Sequence, residues 1–398
     1  MAELNQTPDG MRTRIAFFGR RNAGKSSLIN VLTGQDLAIV SDVPGTTTDP
    51  VSKAMEILPL GPCLVTDTAG LDDEGELGAM RVAKTLAVLE VADIAVVVIP
   101  CGESPDEAER RLLAECERRG VKSIIVRSKR DLAPEAPVAE GEIPVSAATG
   151  DGVEALRVSL SRVSVKEPDL PLLADLASSG DVVVCVCPID ASAPKGRLIL
   201  PQQQVVRELL DMGCVAVVCQ PAELPGVFAR IGERNVRFVV TDSQAFKEVD
   251  AATPKGVPLT SFSILFARRK GDLRALCAGA AALKSLRDGD KVLIAEGCTH
   301  HRQCGDIGTV KLPQWISKYT GRRLAFEFSS GGTFPLDEAR LPALVVHCGG
   351  CMLTRRAVMA RIARCEAAGV PIVNYGVAIA LMHGMVAKPG SCMVERRH

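Results

Sequence analysis

Residues 14–26 read RIAFFGRRNAGKS, and this stretch decides the fold of the first part of the chain. The mainly apolar run Arg14–Phe18 predicts a short strand. The loop from Gly19 to Ser26 matches the pattern G-x-x-x-x-G-K-[ST], and a predicted helix follows to Leu32. Such a loop lets backbone N–H groups curl around phosphate oxygens, and the helix N-terminus adds its positive dipole end. The stretch therefore predicts a phosphate-binding loop.

Predicted strands and helices alternate through the remainder of the N-terminal third. Apolar runs predict strands at 63–66, 94–99, 123–126 and 143–145, and helical stretches follow at 78–91, 107–119 and 153–163. This alternation is typical of a doubly wound, mostly parallel sheet. The same alternation returns at 182–241 and at 291–375. The chain is therefore expected to be of the α/β class, with three consecutive α/β domains.

Three further loops follow predicted strands in the N-terminal third: Asp67–Gly70 (DTAG), Ser128–Asp131 (SKRD), and Ser146 with Ala147. In this order and spacing they resemble the remaining signature loops of the translation-factor-like GTPases. The resemblance implies binding of GTP and Mg²⁺, with Asp67 holding the ion through water and Gly70 sensing the γ-phosphate. Within the phosphate loop, Lys25 can reach the β- and γ-phosphates and the Ser26 hydroxyl can ligate Mg²⁺.

Specificity for guanine is expected from Asp131, whose carboxylate can accept two hydrogen bonds from the base edge that adenine lacks. The expected nucleotide-binding residues lie in the phosphate loop, the SKRD loop and the loop after the last strand. They are Gly19, Asn22, Ala23, Gly24, Lys25, Ser26, Ser27, Lys129, Asp131, Ser146 and Ala147.

Three departures from the usual GTPase pattern bear on mechanism. Ser128 stands where Asn is usual, which predicts a lower affinity for the base. Leu71 follows the DTAG loop, and leucine cannot orient an attacking water. Asn22, together with the segment 44–49 (PGTTTD), resembles the TrmE–Era–EngA group, in which such an Asn helps to hold K⁺ near the transferring phosphate. We therefore expect slow GTP hydrolysis that K⁺ stimulates more than Na⁺ does; the expected catalytic residues are Lys25, Asn22, Thr47, Asp67 and Gly70.

The central part of the chain offers no chemistry of its own. Residues 167–180 have the composition of a linker, and the α/β pattern that follows contains no phosphate loop, no histidine and no compact acid–base cluster. Four cysteines lie in or beside its predicted strands, where burial is the expected role: Cys185, Cys187, Cys214 and Cys219. An interaction or dimerisation module is the default expectation.

The C-terminal part carries a second constellation, in which cysteine and histidine follow two predicted strands. Residues 298–300 (CTH) come just after the strand 291–295, and residues 347–351 (HCGGC) continue directly from the strand 344–346. The carboxyl ends of strands are where open α/β sheets bind their cofactors. Zinc in a Cys₃His site and a [4Fe–4S] cluster on three cysteines both fit this spacing, and a metal-free site also stays open.

Taken together, the two constellations resemble the HydF family of GTPases, which mature [FeFe]-hydrogenase, and the resemblance runs in order along the whole chain. It implies a GTP-binding domain at 1–168, a dimerisation domain at 169–268 and a cluster domain at 269–398. It also implies a [4Fe–4S] cluster on Cys298, Cys348 and Cys351. The fourth iron position is then left to a labile ligand: His300, His347, Glu296, Asp306 or solvent.

The same resemblance implies a carrier role. The chain would receive a di-iron subcluster precursor from radical-SAM maturases and pass it to apo-[FeFe]-hydrogenase as a homodimer, with GTP turnover acting as a switch on partner engagement. The net charge is +7 over residues 271–398 against −8 over residues 1–170, which suggests that Arg355, Arg356, Arg361 and Arg364 favour an acidic docking surface.

Composition argues against other classes of protein. The 398 residues balance 47 Lys and Arg against 47 Asp and Glu, and only 3% are aromatic, which disfavours nucleic-acid binding by bulk charge or base stacking. No apolar run approaches the roughly 18 residues of a membrane span, and residues 1–10 lack a signal-peptide core, so a cytoplasmic protein is expected. Two alternatives remain: a ribosome- or tRNA-associated TrmE/Era-type GTPase with a structural zinc domain, and a redox-sensing GTPase.

Overall fold

The computed structural model describes residues 7–34, 51–70, 85–163, 171–173, 175–189, 198–297, 306–331, 334–336, 340–387 and 392–396. The chain divides into two compact units, Met1–Glu167 and Pro168–His398. Each unit is described by itself.

The first unit is built on a six-stranded sheet. Its strands are β1 (Thr13–Phe18), β2 (Val51–Ile57), β3 (Gly61–Asp67), β4 (Ile94–Pro100), β5 (Lys122–Ser128) and β6 (Ile143–Pro144). They lie in the order β2-β3-β1-β4-β5-β6, and every neighbouring pair is parallel except β2 with β3. All seven residues of β4 are buried, as expected of a strand covered on both faces.

Helices cover both faces of this sheet and enclose two apolar clusters. They span Lys25–Thr33, residues 85–91, Glu107–Arg118 and Val153–Val163. The helix Glu107–Arg118 begins with a reciprocal capping box, in which the Asp106 and Glu109 side chains each accept a hydrogen bond from the other's backbone N–H. This arrangement confirms the expected parallel α/β sheet.

The strand β2 was not expected from the sequence. Its first four residues are exposed, and it pairs antiparallel to β3 at the sheet edge. A solvated edge strand needs no apolar run, so the sequence VSKAMEI gives only a weak strand signal.

The second unit contains two four-stranded parallel sheets and a hairpin. The strands β7 (Val182–Val186), β8 (Val215–Cys219), β9 (Val236–Thr241) and β10 (Leu259–Ser261) form the first sheet in the order β10-β9-β7-β8. The second sheet has the order β12-β11-β13-β14, from β11 (Lys291–Ala295), β12 (Ala325–Ser329), β13 (Leu344–His347) and β14 (Ile372–Asn374). The hairpin pairs β15 (Met385–Ala387) with β16 (Val394–Arg396).

The helices of this unit alternate with its strands. They span Leu200–Asp211, Leu224–Ile231, Phe246–Ala252, Phe262–Lys270, Leu273–Ala280, Leu312–Thr320, Arg355–Ala367 and Tyr375–Met382. The four cysteines expected to be buried are all buried: Cys185, Cys187, Cys214 and Cys219. Three sheets in succession thus confirm the expected α/β class.

The helix Phe262–Lys270 spans the domain boundary that the sequence suggested near residue 268. It follows directly from β10, and it packs against the helices Leu273–Ala280, Arg355–Ala367 and Tyr375–Met382 that accompany the second sheet. Within the described ranges, each helix is too short or too polar to cross a membrane.

Candidate functional site

The phosphate loop lies between β1 and the helix Lys25–Thr33, as the sequence predicts. Two of its glycines have backbone angles that favour glycine, with φ of +149° at Gly19 and +93° at Gly24. A Cβ on Gly19 would stand 2.3 Å from the carbonyl oxygen of Val98, so only glycine fits there. Asn22 also adopts a positive φ, +58°, and its side chain is exposed.

Lys25 is buried in the loop and donates from Nζ to the carbonyl oxygens of Gly19 and Arg20, both at 2.9 Å. These two hydrogen bonds hold the ammonium against the backbone of the phosphate loop. A positive charge at this position can neutralise the negative charge of a bound phosphate group.

Ser26, in the first turn of the helix Lys25–Thr33, meets Asp67 at the end of β3. The Ser26 hydroxyl donates to Asp67 Oδ2 at 2.6 Å. The other carboxylate oxygen, Oδ1, is buried and has no hydrogen-bond partner among the described residues. Burial raises the pKa of Asp67, and the hydrogen bond from Ser26 opposes that shift. A hydroxyl beside an incompletely paired carboxylate fits the donor set that Mg²⁺ takes in GTPases.

The two loops that are expected to recognise the base are held to each other by one side-chain and one backbone hydrogen bond. Ser146 donates from its hydroxyl to Asp131 Oδ1 at 2.6 Å, and the Arg130 amide donates to the Val145 carbonyl oxygen. Lys129 adopts a left-handed φ of +54°. A cleft of about 450 Å³ runs from Gly24 and Ser27 to this pair of loops; its lining also includes Lys129, Asp131 and Ala147.

Ser128, which departs from the usual Asn, forms a bond between two loops of the site. It is buried, and its hydroxyl donates to the carbonyl oxygen of Ala23 in the phosphate loop at 2.6 Å. The serine thus fixes the base-recognition loop to the phosphate loop.

Arg20 is a supporting residue of the phosphate loop that the sequence analysis missed. Its guanidinium makes two hydrogen bonds, of 2.9 and 3.1 Å, to the fully buried carboxylate of Glu109, and it pairs with Glu103 as well. The hydrogen bonds that Arg20 donates to Glu109 raise the pKa of Arg20. Because Glu109 also belongs to the capping box, this contact anchors the loop to the start of a helix. Arg20 and Glu109 are 89 residues apart in the chain, so no sequence motif indicates that they pair.

The structure therefore gathers most of the expected nucleotide-site residues around one edge of the first sheet. Gly70 lies just past the carboxyl end of β3. Thr47, the remaining expected catalytic residue, lies outside the described residues.

The HCGGC segment leaves the carboxyl end of β13, beside the carboxyl end of β11. Ala295 and His347 are partners in this parallel pair. The amide of Gly297, one residue before Cys298, donates to Cys348 Sγ at 3.1 Å, and the amide of Gly350 donates to the same sulfur at 3.4 Å. Gly350 has a φ of +66°, which the tight turn requires. Two of the expected cysteines, Cys348 and Cys351, thus share one turn.

Burial controls the chemistry of these thiols. It raises the pKa of Cys348 to about 11, against the opposing effect of the two amide hydrogen bonds. It also raises the pKa of Cys351, while the charge of Lys270 lowers it. Half-buried cysteines with backbone N–H donors on sulfur match the surroundings of cluster-ligating cysteines.

Both ring nitrogens of His347 are engaged. Nε2 accepts a hydrogen bond from Arg361 at 2.9 Å, and Nδ1 donates to the Cys348 carbonyl oxygen at 2.7 Å. Burial, assisted by the Arg361 charge, lowers the pKa of His347 to about 4. The same arginine is buried and donates to Gly331, so Arg361 does not belong to the exposed docking surface suggested by the sequence.

Two acidic candidates for the fourth ligand position have different surroundings. Glu296 is buried at the end of β11, and its Oε1 accepts a hydrogen bond from Tyr375 at 3.3 Å. Asp306 caps a π-helical turn by accepting from the Thr309 amide and hydroxyl. Cys298 and His300 lie outside the described residues, and across the part of the chain that is described, no group of three or more His, Cys, Asp or Glu side chains is arranged to hold a metal ion.

The fold and the first site define the class: an α/β protein with an N-terminal P-loop GTPase domain that hydrolyses GTP and binds GTP and Mg²⁺. Residues 14–129 match the family model of the 50S ribosome-binding GTPase. Residues 172–271 match the hydrogen maturase F dimerization domain, and residues 274–389 match the hydrogen maturase F tetramerization domain. These last two models together match more than half of the chain, and the chain belongs to the hydrogen maturase F family of GTPases. A tetramerization domain was not expected from the sequence.

Curated relatives match the GTPase part. The tRNA modification GTPase MnmE of Nitrosomonas europaea is 34% identical over 166 residues, covering 40% of this chain and 36% of that protein. MnmE of Xylella fastidiosa is 40% identical over 164 residues, covering 40% of this chain and 35% of that protein. The chain thus spans about a third of the length of these relatives.

Solved structures of GTPases are similar at lower identity. Era in complex with MgGDPNP and a 16S ribosomal RNA segment is 19% identical with a TM-score of 0.34, covering 52% of this chain and 93% of that chain. The G domain of the T. maritima FeoB iron transporter is 23% identical with a TM-score of 0.30, covering 38% of this chain and 98% of that chain.

Proposed function

We propose that this chain is a cytoplasmic scaffold for [FeFe]-hydrogenase maturation, in which a GTPase domain controls a cluster-carrying domain. Cys298, Cys348 and Cys351 hold a [4Fe–4S] cluster, and the chain accepts a di-iron precursor from radical-SAM maturases and delivers it to apo-hydrogenase. The hydrogen bond from Gly297 to Cys348 carries the proposal, because it joins the chain that leads into Cys298 to the Cys348–Cys351 turn. Membership of the hydrogen maturase F family supports the same role.

The donor chemistry of the described turn fits such a cluster. Two cysteines share the turn, and one sulfur accepts two backbone N–H bonds. When bound, the cluster supplies one iron that three cysteines leave open to exchange. The protein would bind the cluster through thiolates, shield Cys348 in part from water, and orient the turn through Gly350.

The candidates for the fourth iron position differ in their contacts, and Glu296 stays among them. His347 uses both ring nitrogens in hydrogen bonds that hold the loop, and Asp306 is committed to its turn. Glu296 is buried one residue before Gly297, and its Oε1 accepts a long hydrogen bond from Tyr375. His300 and solvent remain alternative ligands.

In the nucleotide site we assign roles on the same basis. Lys25 neutralises the β- and γ-phosphates, Ser26 and Asp67 hold Mg²⁺, Gly70 senses the γ-phosphate, and Asp131 reads guanine. Asn22 and Thr47 help to bind K⁺, and the exposed Asn22 side chain at a positive φ is available for it. Hydrolysis rates measured in equal concentrations of KCl and NaCl test this assignment: a faster rate in K⁺ is expected, and equal rates contradict it.

We further propose that copies of the chain pair through the central sheet, within the division 1–168, 169–268 and 269–398. The edge strand β8 exposes Val215 and Val218, half and nearly half accessible respectively, and an apolar edge strand readily pairs with another strand. Val218→Lys is expected to shift the protein toward the monomer in size-exclusion chromatography with light scattering. Leu58→Lys, at another exposed apolar residue, is the control; an unchanged oligomer in V218K contradicts the pairing.

Anaerobic purification followed by activation of apo-hydrogenase tests the main proposal. We expect a brown protein with about four Fe per chain and no zinc, and activation after co-expression with the other maturases. Cys351→Ser should lose both iron and activation, whereas Cys277→Ser, at a cysteine outside the turn, should keep both. A colourless zinc protein would overturn the proposal.

A ribosome- or tRNA-associated GTPase is the second candidate, because the curated relatives of the first domain are named for tRNA modification. It predicts RNA binding that weakens steeply as salt is raised. The zero net charge of the chain weighs against it.

A further inference from the structure

One face of the helix Phe262–Lys270 lies against the HCGGC turn. Ser263, Phe266, Ala267 and Lys270 are spaced i, i+3, i+4 and i+7, so they share that face. Phe266 and Ala267 line a small cavity together with Cys348. The helix itself belongs to the region that matches the dimerization domain.

Ser263 fixes the first end of this contact. Its hydroxyl oxygen accepts hydrogen bonds from the Gly376 amide at 3.2 Å and from the Asn374 side-chain amide at 3.2 Å. A Cβ on Gly349 would stand 3.3 Å from the same oxygen, so the cysteine turn passes closely over the helix. The first turn of the helix therefore supports both the HCGGC turn and the end of β14.

Lys270 fixes the other end. Its Nζ donates to the carbonyl oxygens of Gly350, Cys351 and Leu353, at 3.2, 2.9 and 2.6 Å. The side chain is 7% exposed. An ammonium has three N–H donors, and its burial is costly unless all three are paired. The donors of Lys270 are paired only when three carbonyl oxygens of the turn face it at once. The buried ammonium therefore strongly favours one backbone conformation of the turn.

The three carbonyls belong to the residues that surround Cys351 on both sides. Because one ammonium binds all three carbonyl oxygens, it fixes the backbone from Gly350 to Leu353. It therefore also fixes the direction of the Cys351 side chain relative to Cys348. The ammonium also brings a positive charge close to the Cys351 sulfur, which becomes a thiolate when it binds metal.

We propose that Lys270 is a positioning residue of the metal site: its ammonium, carried by a helix of the dimerization region, holds the Cys348–Cys351 turn in the conformation that directs both sulfurs to one centre. The identity of the bound group as an iron–sulfur cluster rests on the proposed function; the effect of Lys270 on the turn does not. Lys270 thereby links the oligomerisation region physically to the cluster-carrying turn.

The first test measures the turn in the full-length, metal-free protein. In Lys270→Met, hydrogen exchange of the peptide spanning residues 348–354 is expected to be about tenfold faster than in the wild type, because three hydrogen bonds to its carbonyls are lost. Lys284→Met, at an exposed lysine, is the control and should exchange as the wild type does. Unchanged exchange in K270M overturns the proposal.

The second test uses the reconstituted protein. We expect K270M to release iron to a chelator about tenfold faster than the wild type and to show a more negative reduction potential, with GTP hydrolysis unchanged. Equal iron release and equal potential overturn the proposal. If K270M does not fold, Lys270→Gln takes its place with the same two expectations. If the wild type binds no iron, the proposed function fails while the exchange test still decides the role of Lys270.

Discussion

Two glycine-containing loops of this chain solve a similar problem in different ways. The phosphate loop and the HCGGC turn each leave the carboxyl end of a parallel strand, and each holds a buried lysine ammonium against its carbonyl oxygens. In the phosphate loop the lysine is Lys25, bonded to Gly19 and Arg20. In the HCGGC turn it is Lys270, which is 80 residues away in sequence from the first carbonyl it meets.

The origin of the lysine fits what each loop has to do. Lys25 belongs to the loop that it supports, so its ammonium can pass from loop carbonyls to phosphate oxygens as nucleotide enters and leaves. Lys270 belongs to a separate helix and binds three carbonyls, so it is suited to holding a turn still. In this chain, the loop expected to exchange its ligand thus carries its own cation, whereas the HCGGC turn receives one from a separate helix.

Removing the lysine of the phosphate loop should give the largest effect. Lys25→Met is expected to lower kcat for GTP hydrolysis by between about 100- and 1,000-fold, because a preorganised positive charge at the transferring phosphate is lost. The rate of phosphate release under saturating GTP measures this kcat. Lys122→Met, at an exposed residue of β5, is the matched control.

The iron content of K25M should equal that of the wild type. Loss of iron in this variant would contradict the separation of roles between the two lysines.

Arg361 and Arg364 offer a matched pair on one helix beside the HCGGC turn. Both guanidinium groups lie over the Phe334 ring, at 5.0 and 5.5 Å, but Arg361 is the buried one that donates to His347 and Gly331. Arg361→Met should lower the free energy of unfolding of the metal-free protein by about 2 kcal/mol, because a buried acceptor, His347, and a half-buried one, the Gly331 carbonyl, lose their donor. Arg364→Met should change it by less than about 0.5 kcal/mol.

Urea unfolding followed by circular dichroism measures both variants. If R361M and R364M had equal free energies of unfolding, the hydrogen bond from Arg361 to His347 would not be what stabilises the HCGGC turn.

The sequence predicted the parts of the molecule in which the relevant residues are contiguous. The buried strand β11 has the predicted bounds, and β4 and β13 each extend one residue beyond theirs, since apolar runs covered on both faces give a strong signal. The phosphate loop was predicted residue by residue because its geometry depends on glycines and a lysine at fixed spacing.

The parts that were missed depend on contacts between distant residues or on exposed strands. β12 lies at a sheet edge with three of its five residues exposed, so it lacks an apolar run. Lys270 gave no motif, and Arg361 was taken for a surface charge, because a helix rich in arginine does not reveal which side chain turns inward. Such supports become visible only when the packing is known.

Ser128 provides the smallest and most specific test of the comparison. Lys25 supports the phosphate loop from within, whereas Ser128 ties that loop to the base-recognition loop through one hydrogen bond to Ala23. Ser128→Ala should weaken GTP binding about fivefold, because one buried hydrogen bond contributes about 1 kcal/mol. Titration with a fluorescent GTP analogue measures the dissociation constant, and Ser123→Ala, at an exposed position of the same strand, is the control. Because Ser128 bonds to the backbone of the phosphate loop and not to the phosphates, kcat at saturating GTP should stay within about twofold of the wild type. If kcat fell as far as in K25M, the phosphate loop would depend on neighbouring residues as much as the HCGGC turn does.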